Sequence, residues 1–538
     1  MNKLFAQIAK QRHLTEDFLH PKYENLTDPY TIFGMKEATN RIKKAVSNQE
    51  KVLIYGDYDV DGVTASVIME NALRLAGIKD PKIMLPDRFI DGYGMSPRLI
   101  TRAKDEKITL VITVDCGSRN HEIIQELNEL GIDTIVTDHH ECTDDLPEAL
   151  AIINPHRKDH PAENLQNLSG AGVAFKVAEG LAKEQLILNG QEKWLLDLVL
   201  LGTICDQMTL IGENRILGFY GIKVLGKTRR PGLRELMKNA GVKSITSESI
   251  GFQIGPRLNA AGRLETAELS LNLLRTQSPT EATALAMKLE ELNKKRRTEQ
   301  RAATDEIIKN GQPKDASVII ETGKWHEGIL GIVAGRLVEK YHKPAFVLTE
   351  IENGIYKGSG RSFGDFNLAD ALNYAKDTII SGGGHAAAAG VRVYQKDLYA
   401  FREKMNFYYD SLHLKNQEQY FKSHADFTID SLQDFTLDFL DDLKLLEPYG
   451  AGNEEPIFHL TNATILEKRR MGEQHLRLDL QTNDEKTIKA VAFFAPEAWF
   501  NLDSYDSYDF LIKPVENEWR GTRSIEARLI DVYPKSNQ

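Results

Sequence analysis

Cysteine is nearly absent from this 538-residue chain. Its three, Cys116, Cys142 and Cys205, lie far apart and form no CxxC pair. That argues against a disulfide framework or a structural zinc site and fits a reducing cytoplasm. No apolar run reaches the ~18 residues of a membrane span; the best stretch, around Leu195–Cys205, is broken by Asp197. Met1–Lys10 lacks the apolar core of a secretory signal. Positive charge is in deficit too: 67 Lys+Arg against 78 Asp+Glu give a net charge of −11. This disfavours a general polyanion coat and leaves room for a local basic surface. What is present, 41% apolar and 27% charged residues, excludes wholesale disorder. At roughly 150 residues per domain the length suggests three or four domains.

Residues 1–48 carry several basic residues (Lys36, Arg41, Lys43, Lys44) and no strand pattern, and read as a helical lead-in. Lys51–Tyr55, Ile108–Val114, Thr134–Thr137 and Ala149–Ile153 are short apolar segments alternating with helical patterns at Val63–Leu75 and His121–Leu130. Such alternation predicts a parallel sheet covered on both faces. A mostly helical stretch completes a domain over 49–277. Ser278 is an N-cap candidate, Pro279 suits the first helical position and Glu281 completes a capping box. Helix formers then continue to about Asn310, so 278–310 reads as a connector. A second, smaller α/β unit follows over 311–415, with strands at Ser317–Ile320 and Ala345–Leu348. Over 426–538 the alternation in His475–Leu480, with Ile488–Phe494 and Ile525–Val532, predicts a small β-barrel of the oligonucleotide-binding (OB) type.

The strongest chemical signal is where acidic residues fall. The first strand ends in Asp57-Tyr58-Asp59-Val60-Asp61-Gly62, the second in Asp115-Cys116-Gly117 and the third in Asp138-His139-His140. In a parallel sheet these carboxyl ends face one crevice. Asp-Gly often marks only a turn, as at Asp91-Gly92, but three successive turns opening on Asp are more than turn chemistry. Converging carboxylates repel unless cations hold them, and oxygen ligands with one or two imidazoles favour Mn²⁺ or Mg²⁺. Two such ions about 3.5–4 Å apart can serve a phosphoryl displacement.

Those three motifs resemble the DHH phosphoesterase superfamily. Gly202–Asp206, Gly255–Arg263, Trp325–Gly328, Gly358–Ser362 and Ser381–His385 follow in order. With a barrel reached through Glu447–Glu455, they are similar to the RecJ family of single-strand-specific 5′→3′ DNA exonucleases, over roughly residues 50–535. The resemblance implies a DHH-type parallel-sheet domain joined by a long helix to a DHH-associated α/β domain and an OB-type barrel. It implies Asp59, Asp61, Asp115, His139 and Asp206 as ligands of two Mn²⁺ or Mg²⁺ ions, with Asp115 bridging. His140 would lie beside the scissile phosphate, Asp138 would orient the histidines, and Asp57 would stand behind the ligands. Arg88, Ser359 and Arg361 would hold the 5′-phosphate, and Arg257, Asn259, Arg263 and His326 would extend the DNA track. Asp206 rests on the resemblance alone, and Gln207-Met208-Thr209 departs from the more apolar, Pro-containing continuation it leads one to expect.

Arginine suits phosphate because its planar fork donates paired hydrogen bonds. Gly358–Gly360 and Gly382–Gly384 read as glycine-rich loops that cradle phosphate, or as plain tight turns. His385 is a phosphate contact or a structural histidine. Lys227–Arg230 and Lys294–Arg297 read first as solvated faces; Lys468, Arg469 and Arg470 border a barrel strand, where basic grooves bind strands. Phe493, Phe494 and Trp499 are stacking platforms or core. The implied function is release of 5′-mononucleotides from single-stranded DNA in recombination and repair, by a cytoplasmic, nucleoid-associated monomer. Single-strand-binding protein and a RecQ-type helicase are the implied partners. Two rivals are a DHH phosphodiesterase for short oligoribonucleotides or cyclic dinucleotides, which generally lacks the barrel, and a silent scaffold, which would have lost ligands.

Overall fold

A computed structural model describes residues 1–92, 94–311, 316–415 and 417–534. Tyr93, in the Asp91–Gly94 turn that follows Arg88, lies outside them. The first sheet contains β1 (Val52–Tyr55), β2 (Lys82–Met84), β3 (Leu110–Val114), β4 (Asp133–Thr137) and β5 (Ala151–Ile153). All pair in parallel, in the order β2-β1-β3-β4-β5. Val52, Ile54, Leu110 and Ile112 point into the main core, and Leu53, Tyr55 and Val111 into a second core beneath Leu99, Ile124 and Leu127. Burial on both faces is why the central strands read as unbroken apolar runs. From β1 the chain steps to β2 on one side and returns as β3 on the other. This reversal opens a crevice at the carboxyl ends of β1 and β3, where open α/β sheets bind ligands.

Helices α1 (Val60–Ala76), α2 (Gly170–Lys183) and α3 (Leu196–Cys205) pack together over the main-core face. Beyond them come α4 (Gly255–Leu264) and the 32-residue α5 (Pro279–Asn310), about 48 Å long at 1.5 Å per residue. Ser278 caps α5 by accepting the Glu281 N–H at 3.3 Å. The Glu281 carboxylate instead accepts the Thr276 hydroxyl at 2.5 Å, so the reciprocal half of the capping box does not form.

The second sheet, β6 (Ile319–Gly323), β7 (Ala345–Glu352), β8 (Ile355–Arg361), β9 (Ser381–Gly384) and β10 (Ala388–Tyr394), runs β6-β7-β8-β10-β9. Only β6 and β7 are parallel. Gly358–Gly360 and Gly382–Gly384 are therefore not loops: they lie in β8 and β9, both paired with β10. At Gly360 a Cβ would sit 2.5 Å from the Phe346 ring, so this glycine lets an aromatic of β7 lie across the sheet.

The third sheet comprises β11 (Phe427–Ile429), β12 (Phe458–Met471), β13 (His475–Gln481), β14 (Thr487–Ala492), β15 (Ser507–Trp519) and β16 (Thr522–Pro534). Pairing of β12 with β15 closes it into a barrel. The N-terminal helix Lys3–Gln11 buries Leu4, Phe5 and Ile8 in this barrel's core beside Phe439 and Phe458. The following helix Met35–Asn48 packs on the first domain. Buried Arg215 fastens the three regions: it donates to the carbonyls of Phe18 (3.1 Å), Leu445 (2.7 Å), Leu446 (3.1 Å) and Glu447. Among the described residues, no helix is long and apolar enough to cross a membrane.

Candidate active site

The turns after β1, β3 and β4 bring Asp57, Asp59, Asp61, Asp115, Asp138, His139 and His140 to the crevice. Asp59 caps α1 by accepting the Gly62 N–H at 3.0 Å. Asp61, in the first turn of α1, accepts two N–H groups from the start of α2, Gly170 at 2.6 Å and Ala171 at 2.9 Å. Asp115 adopts φ +61°, a left-handed conformation that is uncommon outside glycine and that turns its carboxylate toward α2. A Cβ on Gly170 would lie 2.5 Å from that of Asp115, and one on Gly202 of α3 would collide with Asp61. Two helices thus close on the carboxylates over bare backbone. The run Gly170-Ala171-Gly172 was the available sequence signal for the first contact.

These side chains meet. His139 Nε2 lies 3.1 Å from Asp115, 3.6 Å from Asp206 and 3.8 Å from Asp61. Asp57, Asp59 and Asp115 present oxygens within 4.8 Å of one another. Asp138 accepts the N–H groups of Ser118 (3.0 Å), His139 (2.8 Å) and His140 (3.2 Å), and lies 2.8 Å from His140 Nδ1. Burial, then the charge of Asp59, raises Asp57 to about 8 and Asp61 to about 7. Burial and Asp61 raise Asp206 to about 8, and burial with Asp61 lifts Asp115 well above the usual carboxylate range. Burial, reinforced by His140, pushes His139 down to about 4 and leaves it a neutral ligand. For His140, burial opposes the charge, but the Asp138 hydrogen bond and charge prevail and raise it to about 9.

Buried Asp57 Oδ1 and Asp115 Oδ1 accept no hydrogen bond among the described residues. Clustered carboxylates without compensation are strongly unfavourable. A hard divalent cation supplies the missing charge, and oxygen donors with one neutral imidazole fit Mn²⁺ or Mg²⁺.

Two cavities adjoin the cluster through its chain neighbours Tyr58 and Cys205. A cleft of about 590 Å³ is lined by Tyr58, Arg88, Lys357, Ser359, Arg361 and Gly383. A groove of about 840 Å³ runs from Cys205, Asn259 and Arg263 past Arg296 to Lys513 and Arg528 of the barrel. Arg88 lies 5.0 Å over the Tyr58 ring, and Arg361 donates to the Gly360 carbonyl at 2.8 Å. Among the described residues Arg263 donates to the Gly328 carbonyl alone, at 3.4 Å; burial and the nearby guanidiniums of Arg88, Arg296 and Arg361 lower it to about 9.

The remaining expected contacts have partners or surroundings of their own. Arg257 is held by Glu290 at 2.5 Å and by the Gln253 carbonyl, a long-range neutralisation invisible in the sequence. His326 accepts the Gly328 N–H at 3.1 Å and meets Phe89 edge-on. His385 is exposed just beyond β9. Of the basic runs, Arg230 pairs with Asp197 and Arg229 covers Trp194. Lys468 donates to the Phe500 and Leu502 carbonyls. Phe493 and Phe494 are exposed, while Trp499 packs against the barrel core.

Residues 51–203 match the DHH family, N-terminal domain; residues 315–409 match the DHHA1 domain, and residues 426–531 the RecJ OB domain. The single-stranded-DNA-specific exonuclease RecJ of Dickeya dadantii is 30% identical over 560 residues, covering 99% of this chain and 96% of that protein. The chain belongs to the RecJ family. RecJ of Escherichia coli is 30% identical over 93% of this chain and 90% of its own length. RecJ of Bacillus subtilis is 34% identical over 96% of this chain, which spans 65% of that longer relative. The crystal structure of Thermus thermophilus RecJ in complex with Mn²⁺ covers 100% of this chain and 76% of its own, with a TM-score of 0.85 at 29% identity. The Mg²⁺ complex gives 0.78 at 27%, covering 100% of this chain and 75% of that one.

Proposed function

We propose that this RecJ-family chain is an exodeoxyribonuclease that degrades single-stranded DNA from its 5′ end, releases 5′-mononucleotides, and acts in recombination and repair. One observation carries the reading: the carboxylate–imidazole cluster adjoins, at Tyr58, a cleft lined with arginines and, at Cys205, a groove whose lining includes residues of the barrel. The relatives' name, single-stranded-DNA-specific exonuclease, supports the substrate.

In this reading Asp59, Asp61, Asp115, His139 and Asp206 hold two divalent ions, with Asp115 common to two of the three ligand groupings. When bound, the ions supply activation of water and neutralisation of phosphoryl charge. His140, protonated at neutral pH and fixed by Asp138, offers an N–H to a scissile-phosphate oxygen. Asp57 stands behind the ligands and tunes their charge. Arg88, Ser359 and Arg361 hold the terminal 5′-phosphate, which sets polarity, while Asn259 and Arg263 steer the strand on the other side. In this reading the cleft and groove take one unstacked strand. The barrel favours this substrate over a cyclic dinucleotide, and the full ligand set favours an enzyme over a scaffold. The protein acts as a cytoplasmic monomer at the nucleoid, with single-strand-binding protein and a RecQ-type helicase delivering the strand.

Digestion of 5′-labelled and 3′-labelled single strands with Mn²⁺ tests this. The 5′ label should leave first, as a mononucleotide; initial loss of the 3′ label or internal cutting overturns the polarity.

A further inference from the structure

The large groove contains two features that the cleavage chemistry does not use. Phe252 is 80% exposed and lines the groove, whereas Ile250 and Ile254 on either side are fully buried. All three belong to a π-helical turn, Ile250–Ile254, that leads into α4. Such turns are rare and concentrate at functional sites. Its wide backbone presents Phe252 to solvent on a support anchored by two isoleucines, and the adjoining Gly251 adds no bulk.

Arg296 lines the same groove from α5. Its guanidinium donates to Asn293 Oδ1 at 3.2 and 3.0 Å, and no carboxylate lies within 4.0 Å of it among the described residues. Of the neighbouring cations of α5, Lys294, Lys295 and Arg301 each face a carboxylate four residues away, whereas Arg297, unpaired with any carboxylate among the described residues, is exposed rather than held in the groove wall. Arg296 is thus half-buried, oriented by a neutral partner and unneutralised. A buried-side cation kept free of carboxylates needs an anion, and an exposed aromatic beside it needs a flat apolar surface. A nucleotide of an unstacked strand offers both.

We propose that Phe252 and Arg296 form a nucleotide subsite on the 3′ side of the cleavage position, the ring stacked on a base and the guanidinium on an adjacent backbone phosphate. The proposal rests on the exonuclease reading above. The sequence-tolerant stack holds whatever base arrives, as a processing enzyme requires.

Photocrosslinking tests it with the full chain and 5′-phosphorylated strands carrying one 5-iododeoxyuridine at successive positions, in Ca²⁺ in place of Mn²⁺. One or two adjacent positions should crosslink to Phe252, Phe252→Ala should remove that crosslink and Phe252→Tyr should retain it. Phe252→Ala should also weaken strand binding about tenfold, and Arg296→Gln should lower the salt dependence by about one phosphate, a slope change of ~0.7. Thermal melts confirm that the variants fold. If wild type binds and degrades the strand yet no position crosslinks to Phe252, or if both variants bind with unchanged affinity and salt slope, the subsite is wrong and the exonuclease stands. If wild type neither binds nor degrades a single strand, both readings fall.

Discussion

His140 Nδ1 lies 2.8 Å from Oδ1 of Asp138, and that same oxygen accepts the backbone N–H groups of both His139 and His140. One carboxylate therefore sets the direction of two rings. Burial opposes its charge, but the His140 hydrogen bond prevails and holds Asp138 well below the usual carboxylate range. Asp138→Asn should lower kcat/KM by about 10–100-fold. It should also move the alkaline limb of the pH–rate profile to lower pH, because His140 loses the charge that raises it. An unmoved limb would mean that Asp138 does not govern His140.

Asp115→Ala should abolish cleavage while folding and much DNA binding remain. A subtler test lies behind it. Gly170→Ala places a methyl against the Asp115 side chain and should displace that carboxylate without removing it. Mn²⁺ titration by calorimetry should show metal affinity reduced about tenfold or more. Unchanged affinity would show that α2 yields rather than Asp115.

Stability of the metal-free protein should fall as pH rises from about 6.5 to 8. Asp57, Asp61 and Asp206, raised to about 8, 7 and 8 from 3.8, bind protons more tightly when folded. His140, raised to about 9 from 6.5, does likewise. Each raised group favours the folded state at low pH and loses that contribution as pH climbs through its folded pKa. His139, lowered to about 4, is deprotonated in both states over most of this window and does not cancel them. Denaturant melts in chelator at pH 6.5 and 8 measure the slope. Excess Mn²⁺ should reverse it, since the ion binds the deprotonated cluster; a flat metal-free profile contradicts the argument.

Arg361→Gln should erase the preference for 5′-phosphorylated over 5′-hydroxyl strands. Charge-assisted hydrogen bonds contribute about 1.5–3 kcal/mol, so the ratio of initial rates should fall by roughly tenfold or more. A retained preference would locate the terminal phosphate elsewhere than the Arg88–Ser359–Arg361 cleft.

The cluster was legible because carboxyl ends of parallel strands converge whatever surrounds them, so Asp115 and His139 could be placed at one crevice from their turn positions, their roles coming from the resemblance. Asp206 could not: it follows α3 and reaches the cluster through helix packing, and only the family motif identified it. Arg257 and Arg263 look equivalent in one short motif, yet Glu290, 33 residues onward, neutralises the first, while the second meets no carboxylate within 4.0 Å among the described residues. Lys82–Met84 escaped notice because a three-residue edge strand beginning with an exposed lysine carries little apolar signal. The glycines of β8 and β9 misled for the opposite reason, since residues that permit tight turns also let a large ring cross a strand.

Insertion of Leu4, Phe5 and Ile8 into the barrel also has a consequence for biosynthesis. Asn2 donates its backbone N–H to Asp442, a partner 440 residues away. At about 5–20 residues per second, the helix that follows Asn2 is made roughly 20 to 90 seconds before that partner is translated. The first domain can assemble meanwhile, but the barrel must recruit a segment made long before it. Phe5→Ala would therefore damage a domain whose strands are translated more than 400 residues later.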